Sequence, residues 1–316
     1  MRTTVITTIA LIAAFSFAAS ASALTVSPTR IEIRGNPGQT LKGEMEIYNE
    51  QQEGKTFYTS FENFESRGDT GAPYFIGNKD GLATWMTSDA KIEIATGERV
   101  KVPFTITIPQ SAKPGGYFAA EFFGTEQPKS GNPGDVSIGG KVGVLVLLSV
   151  NGDVEQAAGL SGFSGKGAQR FFTMLPVTLE YVFNNKGGDR VVPKGDIVIK
   201  NSFRSITAKL LANEREGSVL PGSPRRFSVA WGNEVSNEER GFFSLALLQL
   251  SDFHFGWYTA DLSLAWGDVP QTAVATYHFF VFPWQLMVCV FLVIVVLRFI
   301  LLQYKKNIIA AATNQK

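Results

Sequence analysis

An all-β ectodomain of two tandem sandwiches, followed by one C-terminal transmembrane α-helix, is the fold class this sequence predicts. Three observations predict it. Short runs that alternate apolar and polar residues recur between residues 24 and 282, separated by Gly, Pro, Asn and Asp turn signals. A weak internal repeat relates the first half of that stretch to the second. Beyond it, Trp284 and Tyr304 enclose 19 residues whose only charge is Arg298.

Residues 1–23 read as a secretory signal peptide. Arg2 supplies the positive start, Val5 to Phe17 the apolar region, and Ser20-Ala21-Ser22-Ala23 the small-residue pattern that puts the cut between Ala23 and Leu24. No Cys follows the apolar region, which excludes a lipidated N-terminal cysteine.

Residues 24–154 form the first predicted sandwich. Leu41 to Ile47 alternates with its charges outward. Turn signals stand at Gly35-Asn36-Pro37-Gly38, Asp69-Thr70-Gly71, Asn78-Lys79-Asp80-Gly81 and Asn132-Pro133-Gly134-Asp135. Val100 to Ile108 alternates over nine positions, and Pro103, which has no ladder donor, marks an edge strand or a bulge there. In Tyr117 to Phe123 the wholly apolar face, Phe118, Ala120 and Phe122, is expected to be core. The mixed face carries Tyr117, Ala119, Glu121 and Phe123 and suits packing, an inter-domain contact or a ligand surface, with Tyr117 and Phe123 the candidates for binding a partner or glycan. Val142 to Val150 is nearly all apolar, as for a strand covered on both faces.

Residues 155–282 form the second. Met45-x-Ile47-x-Asn49 reappears as Tyr181-x-Phe183-x-Asn185. The turn at Thr96-Gly97 before Val100 to Phe104 reappears as Pro221-Gly222 before Phe227 to Trp231. Pro114-Gly115-Gly116-Tyr117 reappears as Gly256-Trp257-Tyr258. The boundary falls between Asn151 and Gly167, a stretch with five glycines. Helical periodicity is ambiguous only over Glu234 to Leu250. The last strand, Val274 to Phe282, meets Pro283 with no stalk, so the second domain is expected to sit on the bilayer.

Residues 283–304 are the predicted spanning helix and 305–316 a basic cytoplasmic tail. Twenty steps of about 1.5 Å cross roughly 30 Å of hydrocarbon. Trp284 and Tyr304 fall at the two interfaces, and Lys305 and Lys306 supply the positive-inside flank. Arg298 reads as snorkelling to the inner headgroups. The net charge of +1 averages unlike parts: the exported stretch holds 24 basic and 28 acidic residues, whereas everything after Phe282 holds four basic residues and no acid.

The segments Ser111 to Phe123, Lys141 to Gly152, Pro176 to Gly188 and Val219 to Trp231 resemble the two-domain Gram-positive surface proteins that interact with WxL proteins. The resemblance implies two immunoglobulin-like sandwiches, one anchoring helix and non-catalytic binding, to peptidoglycan by the first domain and to a partner or host surface by the second. It carries over no specific binding residue.

No constellation of catalytic residues stands out. Asp69-Thr70-Gly71 has no second such triplet with which to share a proton. The Arg67-Gly68-Asp69 tripeptide reads as a plain loop. His254 and His278 lack an acidic ligand pattern, and the single Cys289 lies mid-span. No phosphate-binding loop or nucleophile elbow occurs, and the charge balance argues against nucleic acid. The expectation is therefore a protein with no cofactor, metal or enzymatic site. It would be held in the bilayer and bind a protein or glycan partner of the envelope. The alternative is a periplasmic chaperone-like or secretion-assembly subunit that works by β-strand addition, which an exposed edge on the Val100 strand would favour.

Overall fold

The computed structural model describes residues 24–127, 140–233, 241–267 and 269–313. The signal peptide with Ala23, the Asn132 turn and the last three residues of the tail lie outside the described residues. The chain divides into two compact units. One comprises residues up to Glu65 and Pro73–Val154, the other Ser66–Ala72 and the remainder from Glu155. Each is a β-sandwich of two sheets.

The first unit contains β1 (Leu24–Ser27), β2 (Arg30–Gly35), β3 (Thr40–Asn49), β4 (Lys55–Ser66), β5 (Pro73–Gly77), a helical turn α1 (Leu82–Trp85), β6 (Met86–Ser88), β7 (Lys91–Ile94), β8 (Arg99–Thr107), β9 (Gly115–Gly124) and β10 (Lys141–Val150). One sheet has the order β1-β3-β8-β6 and the other β2-β10-β9-β4-β5, with β7 also on β4. The alternation read from the sequence is what buries the core. Met45 and Ile47 of β3 face Val102, Phe104 and Ile106 of β8, all under 3% exposed. Outward-facing Glu44 and Glu46 pair across the strands with Lys101 and Arg99, each at 2.7 Å.

The second unit contains β11 (Ala158–Gly165), β12 (Phe171–Phe172), β13 (Val177–Asn185), β14 (Lys194–Asn201), β15 (Ile206–Leu211), β16 (Ser223–Trp231), α2 (Phe242–Ser251), β17 (Gly256–Trp266), β18 (Gln271–Val281) and α3 (Trp284–Thr313). Its sheets are β11-β13-β16 and β12-β18-β17-β14-β15. The ambiguous stretch is thus helical from Phe242. The helix after Trp284 runs on through the predicted tail to Thr313.

The internal repeat is topological. In each unit the first strand splits between the sheets: β1 joins β3 and β11 joins β13, both antiparallel, while β2 joins β10 and β12 joins β18 in parallel. The repeated glycines have a reason too. Gly97 and Gly222 turn at φ near +70°, and Gly115 and Gly256 open β9 and β17 at φ of 135° and 110°.

The repeated asparagines do the same job in both units. Asn49 is fully buried. Its amide donates to the carbonyls of Glu53, Ile94 and Ala95, and its oxygen accepts from Gln51 N–H. Asn185 donates to Asp189 and Val219 carbonyls at 2.7 and 2.9 Å and accepts from Gly187 N–H. Each ties the end of a central strand to the turn after it and to a facing segment. Asn185→Ala, which removes these bonds and leaves the buried Gly187 N–H without its acceptor, is expected to cost the second unit about 2 kcal/mol, read as a lower urea midpoint at unchanged slope.

Candidate strand-docking edge

The splitting of the first strand leaves part of each last strand unpaired. β2 covers β10 only from Leu145, opposite Arg30, to Val150, opposite Gly35. Before Arg30 the chain crosses to the other sheet at Ser27-Pro28, a cis peptide. Among the described residues, no strand therefore pairs with Lys141–Val144 on the side away from β9. Leu145 N–H donates toward that side, to Thr29 O at 3.0 Å. Strand groups alternate in direction, so Lys141 and Gly143 present both N–H and C=O to the open edge.

The surroundings of this edge are apolar. Val142 and Val144 point into the core. On the opposite face, Phe118 lies beside Leu147 and Phe122 beside Gly143. Phe64 and Phe75 cover them, with ring centroids 5.9 Å from Phe118 and 4.9 Å from Phe122 respectively. A Cβ on Gly143 would meet Phe122 Cδ1 at 2.7 Å, so only glycine allows the ring to lie over the strand here. Lys141 closes the cluster: its Nζ sits 4.2 Å over the Phe122 ring and donates to Glu62 Oε1 at 2.5 Å.

Other described edges differ. β6 covers β8 only over Phe104–Ile106, so Arg99–Pro103 is open on that side. The expectation of an edge at Pro103 holds there, but Arg99, Lys101 and Pro103 guard it. β2 presents Arg30, Glu32 and Arg34, and β11 is bulged at Leu160/Gly162. β18 is paired by β12 only at Phe280 and Val281, which leaves a longer open edge in the second unit. Its exposed face is polar apart from Val274, with Thr276 on Asp261, Lys200 on Asp261, and Thr259 on His278. Of the two open last strands, the start of β10 is the apolar one.

Two expectations for β9 are corrected. The face toward the sandwich core is Tyr117, Ala119, Glu121 and Phe123, not Phe118, Ala120 and Phe122, and the second apolar layer buries Ala120 and Phe122 and half-buries Phe118. Phe123 is fully buried and has no access to a partner. Tyr117 is half-buried against Trp85, ring centroids 4.5 Å apart, and its hydroxyl donates to Lys113 O. Glu121, on the mixed face that suited a contact or ligand surface, is fully buried and neither carboxyl oxygen has a hydrogen-bond partner. Desolvation pushes its pKa up to about 7. Nearby Ser88 opposes the shift weakly, because its hydroxyl donates to Pro103 O.

The remaining sequence candidates are placed as follows. Leu24 opens β1. Trp284 starts α3, whose Trp284–Asn307 segment is long and apolar enough to cross a membrane, with a mean hydropathy of 2.8. Arg298, Tyr304, Lys305 and Lys306 are all exposed on it. Asp69 of the Arg67-Gly68-Asp69 loop is held by Arg226, Nη2 at 2.6 Å and Nε at 2.9 Å. His254 lies edge-on to Trp231 and His278 bonds Thr259. Among the described residues, no group of three or more His, Cys, Asp or Glu gathers as a metal site.

No family model and no curated protein sequence matches this chain. Several solved structures are similar to it at low identity. The class 5 fimbriae chaperone CfaA is 14% identical with a TM-score of 0.37, over 81% of this chain and 99% of that one. The CsuC–CsuE chaperone–tip adhesion subunit pre-assembly complex, from archaic chaperone-usher Csu pili of Acinetobacter baumannii, gives 9%, 0.37, 81% and 98%. The Salmonella enterica SafA pilin in complex with the SafB chaperone gives 8%, 0.35, 84% and 99%.

Proposed function

We propose that this chain is a non-catalytic, exported assembly factor, chaperone-like in action. Its first unit captures an extended apolar segment of another envelope protein by strand addition at Lys141–Val144, while α3 holds it in the membrane. The observation that carries this reading is that, among the described residues, no strand pairs with the start of β10, where Lys141 is turned back onto Phe122 and Glu62, beside an apolar face. Four main-chain hydrogen bonds from Lys141 and Gly143, at about 1 kcal/mol each, amount only to millimolar binding. Useful affinity must come from alternate apolar side chains of the guest packing on the half-buried Val142 and Leu145, which selects apolar strands. Such capture is reversible, as assembly requires.

The basic pair Lys305 and Lys306 supports an orientation with both sandwiches outside and the C-terminus in the cytoplasm. Nothing in the geometry favours the wall-glycan reading through Tyr117 and Phe123, since Phe123 is core.

A photo-crosslinking residue in place of Lys141, in intact cells, is expected to trap one extended apolar segment of an envelope protein. The same residue in place of Arg99 or Val274, on the guarded and the polar edges, is expected to trap little of it. Equal adducts at all three positions, or none at 141, would overturn the reading.

A further inference from the structure

The apolar helix α2 has no work inside the second sandwich. It carries no charged residue, and Phe243, Leu247 and Leu250 are 73%, 66% and 60% exposed. Its inner side is fixed instead to the start of α3. Gln249, 2% exposed, accepts from Leu286 N–H at 2.9 Å through its carbonyl oxygen. Its amide donates to Gln285 Oε1 at 2.5 Å and to Thr173 O at 3.1 Å. One side chain thus satisfies a first-turn donor of α3 that has no partner within its own helix and sets the direction in which α2 leaves it. Phe242 packs edge-on to Trp284 at 5.6 Å.

The end of the sheet that feeds α3 is apolar as well. Phe171 and Trp257, 65% and 53% exposed, flank Phe280, with centroids 6.3 and 5.2 Å from it. Phe203, 89% exposed, tips the adjacent β14–β15 turn, where Ser202 Oγ donates to Trp257 O. A soluble domain rarely leaves so much contiguous apolar surface in water.

We infer that α2 and this aromatic sheet end lie in the outer interface of the bilayer that α3 crosses, so that the second unit is seated on lipid as well as tethered to it. The inference rests on reading α3 as a membrane span. Three features select lipid as the occupant. The surface is continuous with the start of the span. It carries Trp257, of a residue type enriched at headgroup depth, among phenylalanines. The outward Phe243, Leu247 and Leu250 offer the apolar area that a helix buries about 5–10 Å into the headgroup–acyl boundary. Held at both Gln249 and Pro283, the second unit would keep a fixed attitude to the membrane.

The test uses the full chain with Cys289→Ala, in phosphatidylcholine vesicles, carrying one environment-sensitive fluorophore on a cysteine at Leu247, Leu292 or Thr272. Leu292 is mid-span, and Thr272 is exposed at the far end of β18. All three positions are exposed, so the labels leave the core intact. Lipids with a quencher near the headgroup are expected to quench the Leu247 label about threefold more than the Thr272 label, while deep quenchers reach the Leu292 label. If the Leu247 label behaves like the Thr272 label while Leu292 remains deep, the inference fails and the span stands. If Leu292 is also unquenched, the span reading itself has failed. Protection of Leu247 that disappears on roughly tenfold dilution into lipid would assign the surface to a second copy of the chain, which also overturns the inference.

Discussion

Glu121→Gln is expected to stabilise the first unit by about 3 kcal/mol at pH 8 and to change it little at pH 5. The carboxyl is buried without a partner, and its pKa rises from 4.5 to about 7 on folding. Below pH 4.5 both folded and unfolded forms are protonated, so the group adds no pH dependence. Between 4.5 and 7 the unfolded chain ionises while the native carboxyl keeps its proton, so native stability falls as pH rises. Above 7 the native form must bear a buried charge, and the loss levels off. The amide keeps the shape and removes the titration. Thermal melts of the full chain in detergent at pH 5 and 8 check this, with roughly 10 °C expected between variant and parent at the higher pH. Parallel pH profiles for the two proteins would sink it.

Phe123→Ala is expected to cost 3–5 kcal/mol, the usual range for deleting a buried phenyl ring and leaving a cavity. Phe123 is 0% exposed between β4 and β10, opposite Thr59 and Val142, inside the cluster of Val144, Phe57 and Ile94. Tyr117→Ala is expected to cost less, since that ring is only half-buried. Amide exchange of the β9–β10 ladder distinguishes the two. It should accelerate strongly in the Phe123 variant and modestly in the Tyr117 variant. Because the Phe123 ring supports the strand that forms the docking edge, loss of partner capture in this variant would report unfolding rather than a lost contact. The crosslink from position 141 is the cleaner probe of function for that reason.

Much of the architecture is legible in the residues themselves. Met45, Ile47 and Asn49 recur as Tyr181, Phe183 and Asn185 because each set occupies the inward positions of one strand, and each Asn must satisfy the carbonyls where that strand stops. Gly97 and Gly222 recur because their turns need a left-handed backbone. The docking edge was not legible. Lys141-Val142-Gly143-Val144 reads as the start of an ordinary buried strand, and only the departure of β1 to the other sheet leaves its amides open. Gln249 likewise looks like a lone polar residue in an apolar run until Leu286 N–H is found beside it.

The division follows the range of the interactions. Period-2 alternation, glycine-led turns and an uninterrupted apolar span are local patterns. The sequence alone therefore determined two repeated sandwiches and one candidate membrane helix. Which side of β9 is core depends on what faces it from β4, β5 and β8, segments up to about sixty residues away in the chain. Glu121, the charge on the face that suited a contact or ligand surface, lies in the core because the second apolar layer of Phe64, Phe75, Phe118 and Phe122 claims the other face. Only the tertiary structure decided this, and with it which strand edge is open and which apolar surface lies beside the start of the membrane helix. These are properties of pairs of segments, and no single segment encodes its partner.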